Sequence, residues 1–284
     1  MRIYVTGAGG LVGRELTAVL ESRHQLVGGE RIDVRDAKAI ARAIAEARPD
    51  WVVHLAAFTN VDGAEARPDE AQAVNGEGTE HVALAARAIR ARLLCVSSDY
   101  VFDGGKRAPY VEEDVPAPLS AYGRSKLAGE QAATGVLPDC LIARSAWLYG
   151  RHRRNFVDSI LELAVARPRV EVVEDEEGSP TYAPDLAQGI TALVEAGASG
   201  IVHVANTGGT SRYNLARAAL RLAGEDPEKI VPTTQSRFGR PAPRPPYSVL
   251  ASNRFAALTG ESLRPWEAAL ADYVASRRTS EAAR

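Results

Sequence analysis

The segment AYGRSKLAGE sets Tyr122 and Lys126 four residues apart, a spacing that puts both side chains on one face of a helix, one turn above the other. An unperturbed tyrosine titrates near pH ~10, too high for easy proton exchange at neutral pH. A neighbouring ammonium favours the phenolate and brings the group toward a working range, so the pair is a candidate proton donor. A few turns upstream, the apolar run LLCVSS ends in Ser97 and Ser98. Open α/β sheets present their ligands at the C-terminal ends of strands, and a hydroxyl there can bond a carbonyl oxygen and hold it for attack. Ser98 is the choice for that role, with Ser97 as the alternate. The third element of chemistry is TGAGGLVG, with glycines at Gly7, Gly10 and Gly13 and the helical positions Leu11 and Val12 between them. Glycine is required where the chain turns tightly, where backbone approaches a phosphate and where helix packs on strand, and the helix that follows aims free N–H groups and the positive end of its dipole at an anion.

These groups act together only if a sheet gathers them. Short apolar runs predict strands at Arg2 to Thr6, Gln25 to Gly28, Trp51 to Leu55, Arg92 to Ser97 and Cys140 to Ser145, and helical spacing predicts helices at Gly10 to Glu21, Ala37 to Ala47, Asp69 to Ile89 and Tyr122 to Ala133. The alternation is that of an α/β fold, a Rossmann-type doubly wound parallel sheet. After residue 150 the pattern loosens: helices at Asn155 to Ala166, Pro184 to Glu195 and Asn214 to Ala223, a strand near Ile201 to Ala205, a proline-rich extended loop from Arg237 to Pro246, and a final helix from near Pro265. The expected organisation is a dinucleotide-binding Rossmann domain over 1–150 and a smaller, mainly substrate-binding α/β region over 151–284, interleaved with the first. The second strand chooses the dinucleotide, through an acid for a ribose hydroxyl or an arginine for a phosphate. Here GGERID offers both Glu30 and Arg31, and the choice between NADPH and NADH stays open.

The composition narrows the class. The chain has 284 residues, 45% hydrophobic and 25% charged, and a net charge of −2, so it buries a sizeable core and has no basic field to attract nucleic acid. No apolar stretch is long enough to span a membrane, and a cytoplasmic enzyme is expected. The two cysteines, Cys95 and Cys140, lie in apolar runs and read as core residues. His24, His54, His81, His152 and His203 show no metal-ligand spacing, and His54 reads as a strand residue. The acidic run Glu174 to Glu177 reads as a solvated turn, and Trp51 as packing at a strand start.

Taken together, TGAGGLVGREL, ARPDWVVHLAAFTNVDGAE, VSSDYVFDG, AYGRSKLAGE, ARSAWLYG, NFVDSILELA, GSPTYAPDLA and RPWEAAL resemble the extended short-chain dehydrogenase/reductases over nearly the whole chain, and within them the dTDP-4-dehydrorhamnose reductase family. The resemblance implies a cofactor held by Gly10, Leu11 and Val12, by Asp33 and Val34 near the adenine, by Ala57, Phe58 and Thr59 after the third strand, and by Tyr122 and Lys126. It implies substrate contacts from Ser98, Asp99, Tyr122 and Trp147. The reaction implied is reduction of the C4 ketone of a dTDP-linked deoxyhexose, with a homodimer as the assembly to consider. Where this chain has Ser98 the family commonly has threonine, which keeps the hydroxyl. Some family members use magnesium, and Glu15 falls at a plausible position; a single helix glutamate is more simply exposed, and no metal site is assigned. A sugar-nucleotide diphosphate favours planar, bidentate arginines, for which Arg151, Arg153 and Arg154 with His152, and Arg237, Arg240 and Arg244 in the proline-rich loop, are the candidates. Two rivals share the fold. A non-catalytic, cofactor-binding regulatory subunit, such as the reductase-like β subunit associated with methionine adenosyltransferase, has no need of Ser98, Tyr122 and Lys126 together. A nucleotide-sugar epimerase or dehydratase shares the tyrosine and lysine, but a dehydratase wants a pair of acids beside the serine, and here Asp99 is followed by Tyr100.

Overall fold

Alternate side chains of each central strand point to opposite faces of the sheet, and in this chain both faces are apolar, the condition for a parallel sheet covered on both sides. A computed structural model, which describes residues 1–28 and 31–282, has this architecture. The chain runs β1 (Arg2–Thr6), α1 (Leu11–Glu21), β2 (Gln25–Leu26), α2 (Ala37–Ala47), β3 (Trp51–His54), α3 (Val61–Ala66), α4 (Pro68–Gln72), α5 (Gly78–Ala88), β4 (Arg92–Ser98), α6 (Ala121–Val136) and β5 (Leu141–Ser145). It continues through β6 (Leu148–Tyr149), α7 (Phe156–Ala166), β7 (Val170–Val173), β8 (Glu177–Gly178), β9 (Thr181–Tyr182), α8 (Ala183–Glu195), β10 (Gly200–His203), β11 (Thr210–Ser211), α9 (Arg212–Ala223), β12 (Ile230–Thr233), α10 (Gln235–Phe238), α11 (Asn253–Thr259) and α12 (Trp266–Ala282).

The main sheet has the order β10-β5-β4-β3-β1-β2, all parallel. The chain leaves β1 toward β2 on one side and builds β3, β4 and β5 on the other, so the strand order reverses beside β1, where ligands sit in such sheets. Ile3, Val53, Leu94 and Leu141 pack with Leu16 and Leu20 of α1 and Leu186, Ile190 and Leu193 of α8 on one face. Tyr4, Val52, Leu93 and Ile142 pack with Ile40 and Ile44 of α2, Val82 of α5 and Ala133 of α6 on the other. Cys95 and Cys140 are free thiols buried in this second layer, and Trp51 is buried with the Arg92 guanidinium 4.3 Å above its ring. Elements beyond residue 150 belong to this body: β10 extends the sheet beside β5, α8 covers α1, and Phe255 of α11 packs in the same core. A smaller body forms around α7, α9, α12 and the parallel pair of β7 and β12.

Three expectations need correction. The second strand ends at Leu26 rather than Gly28, because Gly28 turns the backbone into the left-handed region at φ 80°; Glu30 lies outside the described residues. The helix expected over 69–89 starts at Pro68, a proline suited to a first turn, and is interrupted by a π-helical turn, Ala73–Glu77. Asn75 inside that turn gives its side chain to Phe58, accepting from the Phe58 N–H at 2.8 Å and donating to the Phe58 carbonyl at 3.1 Å. The acidic run is not simply solvated. Glu176 is 2% exposed and faces two arginines, while Glu177 begins β8, which pairs antiparallel with β11.

Candidate active site

A cavity of about 1400 Å³ runs along the C-terminal ends of β1, β3, β4 and β5. Its near wall is the turn from β1 into α1. Gly7 has φ 70°, and a Cβ there would lie 2.6 Å from the Ala56 nitrogen; at Gly13 one would lie 2.3 Å from the Gly7 carbonyl oxygen. No other residue type fits either position, and the turn presents bare backbone to the cavity. Gly10 is the N-cap of α1, so the N–H groups of Leu11, Val12 and Gly13 have no acceptor within the helix and suit an anion.

Beneath the turn a directed chain of hydrogen bonds fixes neighbouring elements. The Thr79 hydroxyl donates to the Asn75 carbonyl at 2.6 Å, so it must accept from His54 Nε2 at 3.1 Å. His54 Nδ1 therefore accepts from the Thr6 hydroxyl at 2.7 Å, and Thr6 Oγ1 accepts from the Leu55 and Ala56 N–H groups. Burial pushes His54 down to about 3, which keeps this tautomer neutral. Asn75 Nδ2 also donates to Ser125 Oγ, which donates to the Tyr122 carbonyl, tying the same network to α6.

The predicted residues mostly converge. Gly7, Gly10, Leu11, Val12, Gly13, Ala57, Thr59, Ser97, Ser98, Asp99, Tyr122, Lys126 and Trp147 line the cavity, as do Asp33 and Val34 at its far end. Phe58 does not: it is held by Asn75 and packs with Ala64, Ala71, Ala121 and Tyr122, under the Arg67 guanidinium. Tyr122 and Lys126 do lie one turn apart on α6. Lys126 Nζ, however, donates to the Val96 carbonyl at 2.8 Å, and burial lowers the ammonium's pKa. Burial likewise raises the Tyr122 phenol well above its ordinary value, the bond to Ser98 pulling the other way. The phenol is thus held protonated, the reverse of the lowering expected from Lys126, because burial dominates and the ammonium is turned onto the Val96 carbonyl. Ser97 Oγ is buried with no partner, while Ser98 Oγ donates to Asp99 at 3.0 Å. Asp33 is held down to about 2 by Arg35, whose side chain bonds both its oxygens.

The arginine candidates separate. Arg153 and Arg154 line the cavity, while Arg151 and His152 are surface groups, with His152 Nε2 3.2 Å from Glu15. Among the described residues no group of three His, Cys, Asp or Glu side chains could hold a metal ion. Arg244 is turned onto Asp62 at 3.0 Å, Arg240 stands 3.9 Å from Glu176, and Arg237 is exposed. Sequence reasoning missed Arg212, the first residue of α9. Its guanidinium lies 3.5 Å over the Trp147 ring, 3.8 Å from Glu176, with Nε buried and unbonded. Only the fold brings it to Trp147, and no local motif marks it. Trp147 itself is held at φ 46°, a strained conformation for a bulky residue, which turns its ring across the end of the cavity.

The RmlD substrate binding domain family matches residues 1–279. The chain is 46% identical to the dTDP-4-dehydrorhamnose reductase of Streptomyces griseus, over 95% of this chain and 92% of that one. It is 41% identical to the dTDP-4-keto-6-deoxy-D-glucose reductase of Streptomyces niveus, over 95% of each. Its structure superposes on the crystal structure of dTDP-4-dehydrorhamnose reductase from Bacillus anthracis in complex with NADP with a TM-score of 0.92, at 34% identity, covering 97% of this chain and 99% of that chain. The glycine turn, the Ser98–Tyr122–Lys126 floor and these end-to-end matches agree, and the chain belongs to the RmlD substrate binding domain family, alongside the dTDP-4-dehydrorhamnose reductases.

Proposed function

We propose that this protein is a dTDP-4-dehydrorhamnose reductase, which reduces the C4 ketone of dTDP-4-dehydro-L-rhamnose to dTDP-L-rhamnose with a reduced nicotinamide cofactor. The observation that carries the reading is the convergence of Ser98, Tyr122 and Lys126 on the floor of one cavity whose wall is a glycine turn. Residues 1–150 with α8 and β10 hold the cofactor, and the rest of 151–284 holds the sugar nucleotide. NADPH is the preferred form: a relative's crystal structure carries NADP, and Arg31 and Arg35 line the end of the cavity where Asp33 is already neutralised.

When bound, the reduced nicotinamide supplies the hydride to the ketone carbon. The chain's own groups handle the oxygen. Ser98 orients the carbonyl, and Tyr122 delivers its phenolic proton as alkoxide develops, so the donors are aimed where charge appears. Lys126 would hold the nicotinamide ribose, and its ammonium would stabilise the phenolate left behind. Arg212 on Trp147, with Arg153 and Arg154, supplies cations for the diphosphate.

The test is loss of NADPH absorbance when purified protein meets dTDP-4-dehydro-L-rhamnose made in situ, with NADH and dTDP-4-keto-6-deoxy-D-glucose in parallel. Rapid oxidation that vanishes in Tyr122→Phe establishes the reductase. Oxidation only with the second sugar moves the substrate to the one named for the Streptomyces niveus relative.

A further inference from the structure

Asp99 follows Ser98 in a single 3-10 turn, is 1% exposed, and has both oxygens occupied by hydroxyls of the protein. Ser98 Oγ–H donates to Oδ1 at 3.0 Å and Ser248 Oγ–H to Oδ2 at 2.6 Å. Ser98 Oγ also accepts from the Tyr100 N–H at 3.2 Å, and the Tyr122 phenol stands beside it, its pKa pulled down by the serine hydroxyl. A serine hydroxyl has one proton and two acceptor sites. With Asp99 ionised, the Ser98 proton is committed to the carboxylate and is offered neither to Tyr122 nor to a ligand in the cavity. With Asp99 protonated, its O–H donates to Ser98 Oγ, and the Ser98 proton is released toward the cavity.

We propose that Asp99 is a positioning residue whose proton decides whether Ser98 presents its own to the substrate carbonyl, the neutral acid giving the competent arrangement. The proposal rests on the reading of Ser98 and Tyr122 as the carbonyl's partners. The charged and titratable groups around the carboxyl are Arg212 from α9, Tyr100 on its own turn and Tyr122 from α6; Glu176 and Arg244 lie behind them, facing Tyr100. Burial raises Asp99 to about 6, against the pull of Ser248, Ser98 and the Arg212 cation. The change of state therefore falls close to neutral pH.

The experiment is kcat against pH for the wild type, Asp99→Asn and Ser248→Ala, with NADPH affinity measured alongside. In the wild type kcat falls with rising pH, approaching about tenfold per unit above the carboxyl's pKa, as for one ionisation. Asp99→Asn holds an N–H on Ser98 at every pH, so its profile over that range is flat, whatever its plateau. Ser248→Ala removes a donor from the anion and shifts the limb to higher pH. A limb that persists in Asp99→Asn, a limb that stays in place in Ser248→Ala, or no turnover at any pH from a folded, NADPH-binding Asp99→Asn overturns the proposal. Failure of the reaction reading looks different, because the wild type then oxidises no cofactor with either sugar. In that event infrared spectroscopy of the free protein still decides. A carboxylic acid band that titrates between about pH 5 and pH 8 and is missing from Asp99→Asn supports Asp99 as the switch, and its absence overturns it.

Discussion

Removing one oxygen at Tyr122 leaves the cavity's shape and takes away its proton donor. Tyr122→Phe is expected to lower kcat about 10²- to 10⁴-fold, the usual span for a lost general acid, with NADPH affinity by fluorescence quenching within about twofold of wild type. At Arg212 the geometry and not only the charge matters, since a planar guanidinium stacks on Trp147 and an ammonium cannot. Arg212→Lys should raise the KM for the sugar nucleotide about tenfold, corresponding to roughly 1.4 kcal/mol, while kcat moves much less; equal losses in both would mean that the side chain acts on the chemical step instead. Tyr122, Lys126, Ser98 and the glycine turn were legible because each is a local pattern with a chemical reason for its spacing. Arg212, Glu176 and Ser248 were not. Arg212 and Ser248 lie in unremarkable stretches and Glu176 in an acidic run that reads as solvated surface, while the partners of all three stand on other elements far along the chain.

Between elements, a buried bidentate pair ties α6 to the sheet: Arg144 on β5 gives Nε and Nη2 to the two oxygens of Glu130 on α6, at 2.9 and 2.6 Å. Both side chains are shielded from water, so breaking the pair from one side strands a charge. Arg144→Met is expected to cost about 3–5 kcal/mol in urea unfolding, and adding Glu130→Leu should recover most of that loss. A double variant as unstable as the single one would show that the arginine acts through packing instead, for instance against Phe102, over which its guanidinium lies at 5.1 Å. Helix periodicity made α1, α2, α6, α8 and α9 readable in sequence to within a residue or two at most ends. The π-helical turn within 69–89 was hidden, since its cause is the Asn75 side chain reaching across to Phe58. The two-residue strands β6, β8, β9 and β11 are too short to leave a period at all.

For the molecule as a whole, two histidines and one aspartate set opposite acid responses. His54 and His203 are buried and pushed down to about 3, so below pH ~6.5 the unfolded chain takes up protons that the folded one refuses, and stability falls on acidification. Asp99, raised to about 6, holds a proton that the unfolded chain releases above its ordinary pKa. Its contribution is present at low pH and is lost as pH rises through about 6. Each group fully inside its window changes stability by about 1.4 kcal/mol per pH unit. The two histidines outweigh the one acid, and the melting temperature should drop from about pH 6.5 to pH 4.5, with a shallower slope in His203→Gln; an unchanged slope there would assign the response to other groups. Composition and alternation made the doubly wound sheet legible, but not that its last strand, β10, and the cover of α1 come from beyond residue 150. That placement has a consequence for synthesis. A chain emerging from the ribosome has made the glycine turn, Ser98, Tyr122 and Lys126 by residue 126, yet the edge of β5 and the apolar stripe of α1 stay bare until residues 183–203 follow. Over that stretch of translation a half-built sheet is a target for edge-to-edge association.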